Sequence, residues 1–210
     1  VQRSNDHYVY LFHDITVEPC GENDIISIPA STKDKIEAYF ECVDSEQKIN
    51  TLNDLLATHN ADYAQKEIFI DVKTIANIKT SFKMPTPQHY LNLMSQDIFD
   101  IIKNYPEKER INMESENAVL LNAFKKHYPS VKTWLACYGD FEKAIKRASK
   151  ENYTGISIKD GDHITKEQIA TAHEQGLKVC VWVINDQTRY NTLKEMEVDV
   201  IQTDNLNLKK

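Results

Sequence analysis

The chain has 210 residues, 41% of them hydrophobic and 27% charged, and seven Phe, ten Tyr and two Trp supply bulky core material. A disordered chain and a staple-dependent miniprotein are both excluded, and a single domain over residues 1–210 is expected. The net charge of -7 is opposite in sign to the footprint of a protein that neutralises nucleic-acid phosphates, so DNA and RNA are not expected partners. A small anionic substrate fits, because one bound cation or a few local basic groups reverse the sign of a pocket on an acidic protein.

The first strand-like run is Tyr8–Phe12, rich in aromatic and β-branched residues, and others follow at Ile68–Val72, Arg110–Met113, Val131–Cys137, Thr154–Ile158, Leu177–Ile184 and Val198–Ile201. Between Asp14 and Ile68 the periodicity is weak. A short helix is expected around Lys33–Phe40 and a better one from Thr51, with roughly Glu18–Glu46 reading as an insertion. Later segments carry helix starts at Asp140, Thr165 and Asp186, and Gly176 is a helix stop. Strand and helix alternating every ~20 to 40 residues is the pattern of a parallel α/β architecture, open or closed into a barrel.

No apolar run approaches the roughly 18 residues of a membrane span. The sequence opens at Val1 without a charged and apolar leader, which predicts that something upstream was removed or lies outside it. Cys20, Cys42, Cys137 and Cys180 form no Cys-x-x-Cys pair, which argues against a zinc knuckle or redox motif. Cys137 and Cys180 read as buried small hydrophobes. Cys20 and Cys42 bracket a polar segment and would pair in an oxidising compartment; a periplasmic or secreted location is favoured over a cytoplasmic one. Oligomeric state leaves no signal.

Five glycines occur, with no Gly-x-Gly-x-x-Gly or phosphate-cradling loop, which disfavours nucleotide-cofactor folds. In a parallel barrel the chemistry sits where strands end. Those ends carry His13-Asp14, Asp71-Val72-Lys73, Glu114-Ser115, Asn185-Asp186 and Thr203-Asp204. Asp71 and Lys73, two apart, share a face and suit either a metal ligand beside a phosphate anchor or a plain ion pair. His59, His89, His127, His163 and His173 show no ligand spacing and are expected at the surface, as is Glu116.

Leu11-Phe12-His13-Asp14, then Ile49-Asn50-Thr51-Leu52, then Ile68-Phe69-Ile70-Asp71-Val72-Lys73, Val181-Trp182-Val183-Ile184-Asn185 and Ile201-Gln202-Thr203-Asp204 resemble, in order, the glycerophosphodiester phosphodiesterase family. The resemblance covers essentially the whole chain. It implies a (β/α)8 TIM-type barrel that hydrolyses glycerophosphodiesters to glycerol 3-phosphate and an alcohol with a divalent cation, Ca2+ or Mg2+, and small-molecule phosphodiesters as partners. It matches His13 to the second of two catalytic histidines, Asp71 to a metal carboxylate and Lys73 to the lysine near the phosphate. Trp182 matches the aromatic of the substrate pocket, and Glu114 is a candidate pocket residue.

Three departures follow from the same comparison. The His-Arg-Gly and Glu-x-Asp motifs of the family would lie upstream of Val1, so this chain is expected to lack the first strand–helix–strand unit and to keep six barrel strands, with Tyr8–Phe12 the return arm of a hairpin. A length near 250 residues is usual for such a barrel, and the deficit of roughly forty agrees. Asp71 stands where the family has Glu, one methylene shorter. With one of three carboxylates present, cation binding by this chain is expected to be weak. A catalytically inactive barrel serving as a binding module is the alternative.

Overall fold

Gln2–Arg3 (β1) and Val9–Tyr10 (β2) pair antiparallel, Gln2 opposite Tyr10 and Arg3 opposite Val9. The hairpin return expected for the Tyr8 run is therefore present. The coordinates are a computed structural model that describes residues 1–17, 25–43, 48–62, 66–73, 87–161 and 164–208. Contacts divide the chain into two units, the first of residues 1–111 and 123–131, the second of residues 112–122 and 132–210.

In the first unit the hairpin tip turns at His7, which takes φ 74°, a conformation uncommon for residues other than glycine and enriched among Asn, Asp and His. A second small hairpin pairs Thr16–Val17 (β3) with Ile26–Ser27 (β4). A helix, Lys33–Val43 (α1), follows, and Asp6 reaches across to accept the Lys33 backbone N–H with both oxygens, at 3.0 and 2.9 Å. Tyr10, Val17, Ile28, Ile36 and Tyr39 make a small apolar core here, with Phe12 and Phe40 edge to face at 5.5 Å against it. The segment read as an insertion thus carries β4 and α1; residues 18–24 and 44–47 of it lie outside the described residues, as do Cys20, the side chain of Cys42, and His163.

The rest of the unit is built from Leu52–Asp62 (α2), Ile68–Asp71 (β5) and Pro87–Ile102 (α3). Tyr90, Met94, Ile98 and Ile102 of α3 are buried at a spacing of four, the stripe of an amphipathic helix. His59 corrects one expectation: it is buried, and its Nδ1 meets the Tyr105 hydroxyl. A helical imidazole next to apolar neighbours looks solvated in sequence; a tyrosine 46 residues away supplies the partner that lets it be buried.

In the second unit Ile111–Ser115 (β6), Lys132–Cys137 (β7), Gly155–Lys159 (β8), Lys178–Trp182 (β9) and Val200–Ile201 (β10) run parallel, each bonded to the next in chain order. With β5 they are the six strands that the sequence assigns to a barrel; a seventh and eighth are not among the described residues. Between them lie Ala118–His127 (α4), Phe141–Lys150 (α5), Lys166–Glu174 (α6) and Gln187–Glu195 (α7). The three expected helix starts are side-chain caps: Asp140 accepts from the Lys143 N–H, Asp186 from the Arg189 N–H, and Thr165 with Gln168 forms a reciprocal capping box. Gly176, at φ 73°, closes α6, with the Gly176 and Leu177 N–H groups donating to the His173 and Ala172 carbonyls.

Alternation along these strands gives the sheet two unlike faces. Leu135, Ile156, Ile158, Val179 and Val181 are buried on one, and α5, packing on β7 and β8, offers it Phe141, Ala144, Ile145 and Ala148. The register places Glu114, Trp134 and Gly155 side by side on the other, then Ser157 beside Cys180 and Lys159 beside Trp182. The Trp134 indole donates to Asn112 at 2.9 Å on that face. Gly155 makes room for it, since a Cβ there would stand 2.8 Å from the Trp134 ring and 2.3 Å from the Lys178 carbonyl oxygen.

Gly155→Ala is expected to lower stability by about 3 kcal/mol, the upper range for overpacking because the obstacle is backbone; an unchanged urea midpoint would contradict this packing. Burial tends to raise the Asp6 carboxyl, but the bonds from the Lys33 N–H and the Ser4 hydroxyl outweigh it and hold it below its ordinary value of 3.8. A lowered folded value stabilises above 3.8 and loses that contribution as pH falls through the folded value. Asp6→Ala should therefore cost ~1 kcal/mol at pH 7, and urea melts of variant and parent should converge at acid pH.

Candidate functional site

His13 sits on a strap pinned at three points. Tyr10 bridges to Thr51, the Leu11 N–H donates to the Asn50 carbonyl at 2.9 Å, and the buried Gln2 side chain donates through Nε2 to the His13 carbonyl at 3.0 Å. The anchor at Thr51 is itself rigid, because its N–H and hydroxyl both reach Asp54 Oδ2 at 2.8 Å at the start of α2. These bonds from the Thr51 N–H and hydroxyl hold the Asp54 carboxyl below its ordinary range. The His13 side chain remains 78% exposed, with Nδ1 2.8 Å from Asp14 Oδ1. With an Nδ1–H donating to that carboxylate, the ring lone pair lies on Nε2.

Along β5, Ile68 and Ile70 are buried while Phe69 and Asp71 are half-buried, so the alternation sends Asp71 and Lys73 to the same side. Their charged groups meet, Lys73 Nζ lying 2.7 Å from Asp71 Oδ2. His13, Asp71 and Lys73 line one open cleft of about 260 Å³, walled by Phe12 and Phe69. Three of the expected site residues are thus brought together within the first unit.

Among the described residues no three His, Cys, Asp or Glu side chains stand together as a metal-binding group. Asp71 is a single carboxylate already paired with an ammonium, and Ca2+ takes six or more oxygen ligands. The donor set in the cleft does not by itself fit a divalent cation. What it offers is an imidazole oriented by a carboxylate, an ammonium able to neutralise an anionic oxygen, and apolar walls.

Glu114 and Trp182 belong to the second unit. Glu114 is buried, with Oε1 accepting from the Ser157 hydroxyl and Oε2 from Gln202 Nε2, each at 2.8 Å. Trp182 is half-buried at the end of β9 and packs edge to face with the exposed Tyr138 at 5.3 Å. Its indole N–H has no hydrogen-bond partner among the described residues. Asn185 and the Thr203-Asp204 end clasp each other: Asn185 Oδ1 accepts from the Asp204 N–H at 2.9 Å and from the Thr203 hydroxyl at 3.1 Å. Gln2, Ser157, Gln202 and Tyr138 escape the sequence reading. Ser157 inside Gly-Ile-Ser-Ile, and Gln202 after two aliphatics, break apolar runs at one parity, a signal visible once the register is known.

The sequence profile of the glycerophosphoryl diester phosphodiesterase family matches residues 1–208. A glycerophosphodiester phosphodiesterase from Parabacteroides distasonis aligns over 97% of this chain and 77% of its own, with TM-score 0.77 at 16% identity. An Oleispira antarctica phosphodiesterase, solved with its product sn-glycerol-3-phosphate, aligns over 96% and 78%, with TM-score 0.76 at 15% identity. The enzyme of that class from Thermotoga maritima aligns over 97% and 79%, with TM-score 0.67 at 20% identity. At these identities the shared property is the α/β fold. No curated protein matches the sequence. From the profile match over nearly its whole length, the chain belongs to the glycerophosphoryl diester phosphodiesterase family.

Proposed function

We propose that the chain is a single phosphodiesterase domain acting on glycerophosphodiesters, releasing glycerol 3-phosphate and an alcohol. The observation that carries this reading is the meeting of His13, Asp71 and Lys73 in one cleft in a chain of this family. Cleaving a phosphodiester requires charge to be neutralised on a non-bridging oxygen, a proton to leave the attacking oxygen and a proton to reach the departing one. His13 Nε2 exchanges the proton, with Asp14 fixing the ring. The Lys73 ammonium meets an anionic phosphate oxygen in competition with Asp71. Trp182 and Glu114, both in the second unit, are the further substrate-contacting residues that the family resemblance suggests. Ca2+ or Mg2+ is expected to bind this chain weakly through Asp71.

The second reading, an inactive family member that binds without turning over, is favoured by the Asp71–Lys73 ion pair, which occupies both charged groups. The two readings separate by assay. In a polypeptide that carries this chain, glycerophosphocholine turnover should fall roughly 10²- to 10⁴-fold with His13→Ala. Asp71→Ala should instead be partly recovered by raising Mg2+ or Ca2+. Full activity in both variants would place the chemistry elsewhere, and binding without turnover in the parent would select the second reading. Calorimetric titration of the 210-residue chain with Mg2+ or Ca2+ should show no tight stoichiometric binding; a sub-micromolar stoichiometric isotherm would contradict the reading of the donor set.

A further inference from the structure

The polar face of β6 to β10 holds an amide whose orientation is chemically determined. Gln202 has its backbone fixed on both sides, the N–H donating to the Val181 carbonyl and the carbonyl accepting from the Ile184 N–H, each at 2.9 Å. Its side chain is fixed by Glu114 at 2.8 Å. A carboxylate accepts and an amide oxygen accepts, so the end of Gln202 that faces Glu114 must be the nitrogen. The second N–H and the carbonyl oxygen of Gln202 meet no partner among the described residues. Glu114 is held in turn by the Ser157 hydroxyl on β8.

Val200 and Ile201 pair with Cys180 and Val181, so continuing the register by one residue sets Gln202 beside Trp182, which is itself opposite Lys159. Across the ends of β8, β9 and β10 the same face therefore presents an exposed ammonium, an aromatic ring and an amide with one donor and one acceptor remaining. A hydroxyl group both donates and accepts; an anion only accepts. The row matches a small phosphate ester with a free hydroxyl, its carbon skeleton against the indole.

We propose that Gln202 reads a hydroxyl of the bound phosphate ester, and that Glu114 acts as a positioning residue by fixing the Gln202 amide. This rests on the phosphodiester reading above only for the class of ligand; the groups that would hold the ester, Lys159, Trp182 and Gln202, all lie within the second unit.

The probes are sn-glycerol 3-phosphate and methyl phosphate, which share the anion and differ in the hydroxyls, titrated into the 210-residue chain by NMR. The parent is expected to prefer glycerol 3-phosphate by about tenfold, the scale of one or two well-placed hydrogen bonds. Gln202→Leu should bring the ratio near one while methyl phosphate binding is unchanged. Glu114→Gln keeps size and bonding but admits either amide orientation, so the ratio should fall part of the way, and the Gln202 side-chain amide resonance should shift. In the parent that resonance should move with glycerol 3-phosphate and not with methyl phosphate. If the parent binds both probes equally, or Gln202→Leu keeps the ratio, the proposal is overturned and the phosphate-ester reading survives. If neither probe binds at tens of millimolar, both fall. Should Gln202→Leu fail to fold, the resonance and Glu114→Gln still decide.

Discussion

A carboxylate withdrawn from water inside a parallel sheet has to be met by hydrogen-bond donors, or its burial opposes folding by several kcal/mol. Glu114 imposes that demand on the second unit. Its donors come from Ser157, two strands along, and from Gln202 at the exit of the last strand. Both lie at the parity that turns away from the helices. A slip of one residue would carry the donors to the apolar side and put Ile201 or Ile156 in their place. Register is thus specified twice, by the aliphatic rows that α5 and α6 cover and by the polar set around Glu114. The groups exposed at the strand ends inherit their positions from this constraint.

The first unit solves a similar problem with a cation. The Arg3 side chain is 3% exposed and paired with Asp97, 12% exposed. Its remaining N–H groups reach the Ser4 carbonyl and His7 Nδ1, both at 2.9 Å, while the Tyr90 hydroxyl sits within 3.3 Å of both the Arg3 N–H and carbonyl. This pairing fastens β1 to α3. Removing either charge would leave the other buried and uncompensated, which is far more damaging than losing a surface pair. The neighbouring residue Gln2 holds the strap that carries His13, so the stability of the hairpin and the placement of the imidazole are coupled through adjacent residues.

The long parallel strands and their capped helices were legible because local chemistry repeats there: Asp140, Thr165 and Asp186 are caps in sequence and in space, and Gly176 stops its helix. Strand boundaries shifted by at most two residues, as the Leu177–Ile184 run became Lys178–Trp182. The two-residue ladders of β1, β3 and β4 were not legible, because two residues carry no periodicity. The cleft residues were found through ordered motifs and not through any single residue. Gln202, Ser157 and the burial of His59 stayed hidden for a common reason. Each depends on a partner 43 to 88 residues away, and only the register of the sheet or the packing of a helix brings such pairs into contact.

Cys180 lies on the polar face, fully buried, where burial, with the Glu114 charge adding to it and the Ser157 hydroxyl opposing, pushes its thiol up to about 12. Its thiolate, the only reactive form, is therefore vanishingly scarce at neutral pH in the folded chain, and the sulfur is shielded from reagents besides. Alkylation at this position has to wait for the strands around it to part. The rate at which a small electrophile marks Cys180 thus reports how often the central part of the second unit opens, a clock built into the sheet that needs no added label and reads the same carboxylate-centred packing that orders the strand ends.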